Sequence, residues 1–351
     1  MSKIKKILIF GGSFDPVHKG HIDSCNSAIA KVDPDLTIII PNKIPPLKST
    51  LHASASARDR LNMCKLAFSN MGNLKISSFE LRQASNAPSY TYKTIQYLLK
   101  KYPEAKLYLL VGYDRYCDFN KWKNYKYILN HVTLVVGIRN TNTLDLKDDK
   151  KSIPVLFPSV NISSAELRLK PNKEYMTEPV INYINENGLY AENHIRNLMS
   201  EYRFNHTLRV AKTAMQITRA VAPKKVKKAY IAGMYHDVAK EFNETTILSM
   251  VKNYDKKLYP TVHTLHGICS AMYIKDNFYI NDEEILDAIR NHVIPPMECS
   301  TLSMILYCAD KLEPGRTVND VKNRRKKLSI VKKDLKKGFK LLYNEIKERY
   351  K

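Results

Sequence analysis

The chain has 351 residues, 44% of them hydrophobic, which is enough for two domains with separate cores. The net charge of +23 favours anionic partners, but lysines spread along most of the chain indicate a solvated surface rather than a specific nucleic-acid groove. The six cysteines include no CxxC pair, and no apolar run suits a signal peptide or a membrane span. We therefore expect a reduced, cytoplasmic protein without a membrane partner.

The first predicted elements are a strand over residues 7–10, a turn at Gly11 and Gly12, and a helix from residue 22. A glycine pair lets a phosphate approach the main chain, and a helix N-terminus attracts anions. His18 and His21 lie at this helix start, where both can donate hydrogen bonds to the charge that develops during phosphoryl or nucleotidyl transfer. The alternative is that one histidine caps the helix while the other packs.

Residues 11–21, GGSFDPVHKGH, resemble the GGxFDPxHxGH signature of the nucleotidyltransferases that make NAD precursors, most closely nicotinate-nucleotide adenylyltransferase. The resemblance implies that His18 and His21 hold the phosphates of ATP, supplied with Mg²⁺, and stabilise the transition state. The nucleophile in that family is the phosphate of the mononucleotide. The implied ATP site includes the residues of the turn: Gly11, Gly12, Ser13 and Phe14.

A second strand is predicted over residues 37–40, and a proline-rich loop follows it at the edge of the sheet where ligands bind. The loop resembles the PxxxPPHK pattern of the same family, with Leu47 in place of the histidine. Lys48 is a candidate phosphate contact, although a surface charge explains it equally well. An amphipathic helix is then predicted over residues 58–68.

Two further segments resemble the part of that family that binds the acceptor. The first is SYT at residues 89–91, which precedes a helix predicted to run to residue 101. The second is GYD at residues 112–114, after a strand over residues 107–111 and before the single tryptophan. The resemblance implies that Tyr90, Thr91 and Trp122 contact nicotinate mononucleotide and that Asp114 lines the nucleotide site. A helix cap and a core tryptophan are the alternatives.

A fourth and a fifth strand are predicted over residues 132–136 and 155–157. Ser163 and Ser164 then open a helix, and Arg168 follows one turn later, where its forked donors can reach the same anion. The segment resembles the family motif ISSTxxR and implies a second phosphate site for ATP; a capping motif explains the serines alone. The alternation of strands and helices predicts an α/β domain of Rossmann type over residues 1–191, with a parallel sheet.

Residues 192–351 are predicted to form an all-α domain, with helices over 194–222 and 226–240 and a tail helix over 328–346. Histidines and aspartates are scattered through its apolar helices. Their types suit a transition metal such as iron, manganese or zinc, whereas core polar groups would rarely recur so often. The candidate ligands are His206, His236, Asp237, His266, His292 and Asp310.

This order of ligands resembles the HD phosphohydrolases, and most closely the bacterial symmetrical dinucleoside tetraphosphatases. The resemblance implies that His206, His236, Asp237 and Asp310 hold a metal that activates water. His266 and His292, together with Arg290, would serve a second metal or the substrate phosphates. Arg316 is a further candidate phosphate contact.

The sequence thus predicts a bifunctional enzyme that acts on ATP, nicotinate mononucleotide and a dinucleoside polyphosphate. One alternative keeps the transferase but makes the HD half a non-catalytic regulator. A second alternative is a basic nucleic-acid-binding protein with vestigial sites. A third is that the transferase uses nicotinamide mononucleotide or a related acceptor instead. The sequence is also compatible with a homo-oligomer.

Overall fold

The computed structural model describes residues 4–44, 55–83, 88–139, 152–158, 162–258 and 261–349, without the side chains of 317–319 and 349. The predicted loop residue Lys48 lies outside these ranges. The chain forms two compact units, Met1–Ile181 and Asn182–Lys351.

The first unit contains a parallel sheet of six strands in the order β3-β2-β1-β4-β5-β6. The five predicted strands are present, and the short edge strand β3 was not predicted. The strands are β1 (Lys6–Gly12), β2 (Leu36–Pro41), β3 (Leu74–Ile76), β4 (Lys106–Gly112), β5 (Val132–Arg139) and β6 (Ser152–Phe157). The order reverses between β1 and β4, and ligands of open α/β sheets bind at the carboxyl ends beside such a reversal.

Apolar residues cover both faces of the sheet. On β1, Ile7 and Ile9 belong to one core cluster with Ile95 and Leu98 of the helix after β3, whereas the fully buried Leu8 has the opposite parity along the strand. The helices are α1 (Lys19–Val32), α2 (Ala57–Ala67), α3 (Thr91–Lys101), α4 (Tyr113–Cys117), α5 (Tyr125–His131), α6 (Ser164–Leu169) and α7 (Glu178–Asn187). The predicted parallel α/β fold is confirmed.

Two local predictions at the first turn are wrong. Gly11 and Gly12 do not break β1, which runs through Gly12, and the residue of the turn with a left-handed backbone is Phe14 (φ 49°). Helix α1 begins at Lys19 instead of residue 22, because His18 is its N-cap and the amide of His21 bonds to the His18 carbonyl at 2.9 Å.

The described part of the second unit is helical, as predicted. Its helices enclose one core, which reaches from Ala191 to Leu342. They are α8 (Ala191–Arg196), α9 (Glu201–Val221), α10 (Val226–Tyr235), α11 (Glu244–Met250), α12 (His266–Phe278), α13 (Glu283–Arg290), α14 (Thr301–Leu312), α15 (Val321–Lys333) and α16 (Leu335–Arg349). No helix among the described residues has the length and apolar character that crossing a membrane requires.

Three predicted helices are shorter or broken. The first divides into α8 and α9, since the Ser200 hydroxyl accepts a hydrogen bond from the Arg203 amide and starts a new helix. Tyr202, in the first turn of α9, is 73% exposed. The second ends at Tyr235, and the tail helix is interrupted at Asp334, which has an extended backbone.

Candidate active sites

A cavity of about 840 Å³ opens at the carboxyl ends of β1 and β4 in the first unit. Its size is in the range of pockets for small molecules. Eleven of the predicted site residues line it, whereas Arg168 contacts the main chain of the turn after β1 and Ser163 bonds to Glu166 on its own helix. The lining includes Gly11, Gly12, Ser13, Phe14, His18, His21, Tyr90, Thr91, Asp114, Trp122 and Ser164.

His18 and His21 stand together at the start of α1, with ring centroids 3.9 Å apart. The His18 amide donates to Nδ1 of His21 at 3.2 Å. Because Nδ1 accepts this bond, a neutral His21 carries its proton on Nε2 and can donate from there. Burial, assisted by the charge of Arg139, lowers the pKa of His18 to about 4. His18 thus caps α1, as the alternative held, and both imidazoles still face the cavity, as phosphate binding requires.

Arginines hold the turn between β1 and α1 through its main chain. Arg60 is 4% exposed, and its Nη1 donates to the Ser13 carbonyl at 2.7 Å. Arg168 donates from Nη1 to the Asp15 carbonyl at 2.6 Å, and the hydroxyl of Ser164 donates to the carbonyl of Pro16 at 3.0 Å. Arg60 escaped the sequence analysis because its bond to the turn joins residues 47 positions apart, with no local motif.

Ser163 caps α6. Its hydroxyl accepts from the Glu166 amide at 3.2 Å, and the Glu166 carboxylate accepts from the Ser163 amide at 2.7 Å. This capping box is the alternative that the sequence offered for the serines. It leaves Ser164 as the serine of the pair that lines the cavity.

Aromatic and cationic side chains line another part of the cavity. Trp122 is half-buried and lies 4.7 Å from the ring of Phe119. Lys123 places its ammonium group 4.6 Å from the centre of the Tyr90 ring. Arg139, at the end of β5, also lines the cavity, although no sequence motif marked it as a site residue. These cations suit anionic ligands.

The six predicted metal ligands of the second unit come together in its core, although three lie on α9, α12 and α14 and the other three in the segments that follow α10 and α13. His206 approaches Asp310 at 3.2 Å and Asp237 at 3.6 Å, measured from Nε2 to the nearest carboxylate oxygens. His236 lies 3.6 Å from the same oxygen of Asp237. His266 and His292 approach the other oxygen of Asp237 at 3.1 and 3.4 Å.

The imidazoles are oriented by hydrogen bonds at Nδ1. His236, His266 and His292 each donate to the carbonyl oxygen three residues earlier, at 2.8, 2.6 and 2.7 Å. His206 uses a carboxylate instead, that of Glu313, at 3.0 Å. With the proton on Nδ1, each Nε2 presents a lone pair toward the aspartates, as a metal ligand does.

These residues fit a divalent metal. Nε2 of His206 and of His236 are buried without a hydrogen-bond partner among the described residues, which is costly unless a ligand satisfies them. Burial lowers the pKa of His236 to about 3, so this imidazole is neutral at physiological pH. Two triads have ligand atoms within 4.8 Å of one another, and Asp237 belongs to both. These residues therefore form a site in the second unit that fits a divalent metal.

Cations surround the two aspartates. Arg316 donates to Oδ1 of Asp310 at 2.8 Å, and Lys311 to Oδ2 at 2.9 Å. Arg203 donates to Oδ2 of Asp237 at 2.7 Å. Although burial raises the pKa of Asp310, the charges of Lys311 and Arg316 hold it well below its usual value.

Arg290, predicted to contact the substrate, lies near two carboxylates of its own helix, α13. Its guanidinium group lies 3.6 Å from Asp287 and 3.8 Å from Glu283, and 41% of its side chain is exposed. Arg203 was missed by the sequence analysis, although its position one turn before His206 on α9 could have revealed it.

Comparison with known proteins identifies the family of this chain. A relative from Mycoplasma genitalium, named a probable nicotinate-nucleotide adenylyltransferase/Ap4A hydrolase, is 34% identical over 316 residues, covering 89% of this chain and 88% of the relative. The chain belongs to this family. A family member from Mycoplasma pneumoniae with the same name is 30% identical over 339 residues, covering 96% of each chain.

Each half of this chain also matches a family model of its own. A cytidylyltransferase-like family model matches residues 9–170, and an HD-domain model matches residues 203–315. A probable nicotinate-nucleotide adenylyltransferase from Nitratiruptor is 37% identical over 171 residues, which is 49% of this chain and 92% of that relative.

Proposed function

We propose that residues 1–191 transfer the adenylyl group of ATP, bound with Mg²⁺, to nicotinate mononucleotide. The phosphate oxygen of the mononucleotide attacks the α-phosphorus, a new P–O bond forms, and pyrophosphate leaves, giving deamido-NAD. The observation that supports this most is the pair of imidazoles at the start of α1, inside a cavity at the reversal of strand order. The names of the relatives agree with it.

In this proposal the chain binds and orients, and supplies no nucleophile. Nε2–H of His21 donates to the phosphate oxygens on which negative charge accumulates. His18, whose pKa is lowered to about 4, acts beside it as a neutral imidazole, while Arg139 and the start of α1 contribute positive potential. Ser164 faces the same cavity, and Arg168 keeps the turn in place through the Asp15 carbonyl.

The acceptor is assigned to the aromatic part of the cavity. Tyr90, Thr91 and Trp122 would position the pyridine ring of the acceptor. Asp114, which lines the same cavity, would contact the bound nucleotide. The ammonium group of Lys123 beside Tyr90 favours an acceptor that carries a carboxylate, as nicotinate does, over the neutral nicotinamide.

We propose that residues 192–351 hydrolyse diadenosine tetraphosphate to two molecules of ADP. Water adds to the second phosphorus from one end, and the central bridging oxygen leaves with the other ADP. The cluster of His206, His236, Asp237 and Asp310 would hold a metal, namely iron, manganese or zinc, with His266 and His292 at a second position around Asp237. When bound, the metal supplies the Lewis acidity that activates water at neutral pH.

The cations around this cluster would bind the polyphosphate. Arg316, Lys311 and Arg203 neutralise aspartate oxygens in the structure described here. If the metal takes those oxygens, these side chains have charge available for phosphates of the substrate.

Product analysis on the purified chain tests both activities. One reaction holds ATP, Mg²⁺ and either nicotinate or nicotinamide mononucleotide, and another holds diadenosine tetraphosphate with Fe²⁺ or Mn²⁺. Deamido-NAD in the first and ADP as the single product in the second would support the proposal. Transfer without hydrolysis in the metal-loaded protein would favour the regulatory alternative.

Two variants separate the sites. His21→Ala should abolish adenylyl transfer and leave hydrolysis intact, whereas Asp237→Ala should release metal and abolish hydrolysis alone. Loss of both activities in either folded variant would contradict independent sites. We further propose that the enzyme works in the cytoplasm, where its cysteines, all free in the structure, stay reduced.

A further inference from the structure

His206 differs from the other imidazoles of the metal centre in the group that orients it. The other three donate Nδ1–H to main-chain carbonyls, but His206 lies inside α9, where the carbonyls belong to the helix. Its Nδ1 lies 3.0 Å from Oε1 of Glu313, a residue 107 positions away. A negatively charged acceptor makes an imidazole more basic than a neutral carbonyl does.

Glu313 is itself fixed in place. It is 1% exposed, and its second oxygen accepts from Nε of Arg209 and from the Gly315 amide, both at 2.6 Å. The carboxylate is paired with the guanidinium group of Arg209 and accepts three hydrogen bonds, so it is ionised and has little freedom to turn away from His206.

Gly315 makes this arrangement sterically feasible. A Cβ atom at this position would lie 2.4 Å from Nη2 of Arg209 and 2.7 Å from its Cζ, far inside contact distance. The guanidinium group therefore packs against the main chain at Gly315. Gly315 thus leaves room for the Arg209 guanidinium group beside the carboxylate that it binds.

We propose that Glu313, held by Arg209, is a positioning residue that makes His206 a stronger metal ligand than its three counterparts. The carboxylate keeps the proton of His206 on Nδ1 and directs Nε2 toward Asp310 and Asp237. The inference rests on the metal centre of the proposed hydrolase, but it concerns metal affinity and not the identity of the substrate.

The same carboxylate connects the ligand to a phosphate-binding candidate. Glu313 caps the turn Pro314–Asp320, which includes Arg316, and Arg316 bonds to the ligand Asp310 at 2.8 Å. Loss of the Glu313 charge should therefore weaken metal binding first and disturb the position of Arg316 as a consequence.

The test is metal affinity in the full-length protein. Glu313→Gln keeps the shape of the side chain but removes its charge, and Mn²⁺ affinity, measured by competition with a chromophoric chelator, should fall about 10- to 100-fold. The visible spectrum of the Co²⁺-loaded variant should change, because its ligand field at His206 changes. Glu284→Gln is the matched control, since Glu284 pairs with Lys225 and Lys228 away from the metal centre.

A purely structural ion pair gives a different result. Mn²⁺ affinity within twofold of the wild type, combined with a lower unfolding temperature of the metal-free variant, would overturn the inference. If Glu313→Gln does not fold, Arg209→Lys keeps the charge but removes the guanidinium contact, and it must weaken Mn²⁺ binding for the inference to stand. A wild-type chain that binds Mn²⁺ but does not hydrolyse the tetraphosphate would contradict the proposed function and leave this inference intact.

Discussion

Gly233 controls how closely α9 and α10 approach. The ligand His206 lies on α9, and the ligands His236 and Asp237 directly follow α10. A Cβ atom on Gly233 would lie 2.5 Å from Cα and 3.0 Å from the amide nitrogen of Ala211, whereas ordinary contact begins at 3.4 Å. Main-chain atoms cannot rotate away, so Gly233→Ala must separate the helices by roughly 1 Å. The distance between His206 and His236 should therefore increase as α9 and α10 move apart.

Overpacking of this kind costs about 1–3 kcal/mol, and a unit of this size loses about 2–4 °C in Tm per kcal/mol. We therefore expect Gly233→Ala to lower the unfolding temperature of the second unit by roughly 2–12 °C. Metal affinity should fall with it, because the Nε2 atoms of the two histidines no longer reach the same aspartates.

Calorimetry of the metal-free chain and titration with Mn²⁺ measure both effects. Gly72→Ala is the control, because a Cβ atom there meets nothing within 4 Å. Adding Ala211→Gly should not restore Gly233→Ala, since the clash involves the main chain of residue 211. Wild-type unfolding and wild-type Mn²⁺ affinity in Gly233→Ala would refute the reasoning.

Two further predictions concern buried side chains. Arg60→Ala should destabilise the first unit by about 1–3 kcal/mol in urea unfolding, because the carbonyls of Ser13, Lys43 and Ala55 lose a donor; an unchanged midpoint would contradict it. Burial lowers the pKa of His194 to about 3, whereas an unfolded histidine has a pKa of about 6.5. Protonation of His194 therefore favours the unfolded chain. Below about pH 6.5 the folding equilibrium constant should fall about tenfold for each pH unit. Unfolding of His194→Asn between pH 7 and pH 5 should therefore show a weaker pH dependence than that of wild type, and equal slopes would exclude this role.

The sequence alone determined the features that depend on neighbouring residues. His18 and His21 are three positions apart after a strand, so their proximity at the start of α1 needs no long-range contact. The alternation of apolar strands and amphipathic helices likewise predicted the parallel sheet, since each element must bury its own apolar face. The metal ligands of the second unit could be named by residue type and by their resemblance to a family.

Tertiary structure decided which distant groups meet. The short edge strand β3 has three residues, too few for a clear pattern, and it exists because β2 offers it a hydrogen-bonding partner. The contact of Glu313 with His206 and the support of the first turn by Arg60 join segments far apart in the chain. No local pattern records such hydrogen bonds, because they form only after packing has excluded water and brought the partners within 3 Å or so of each other.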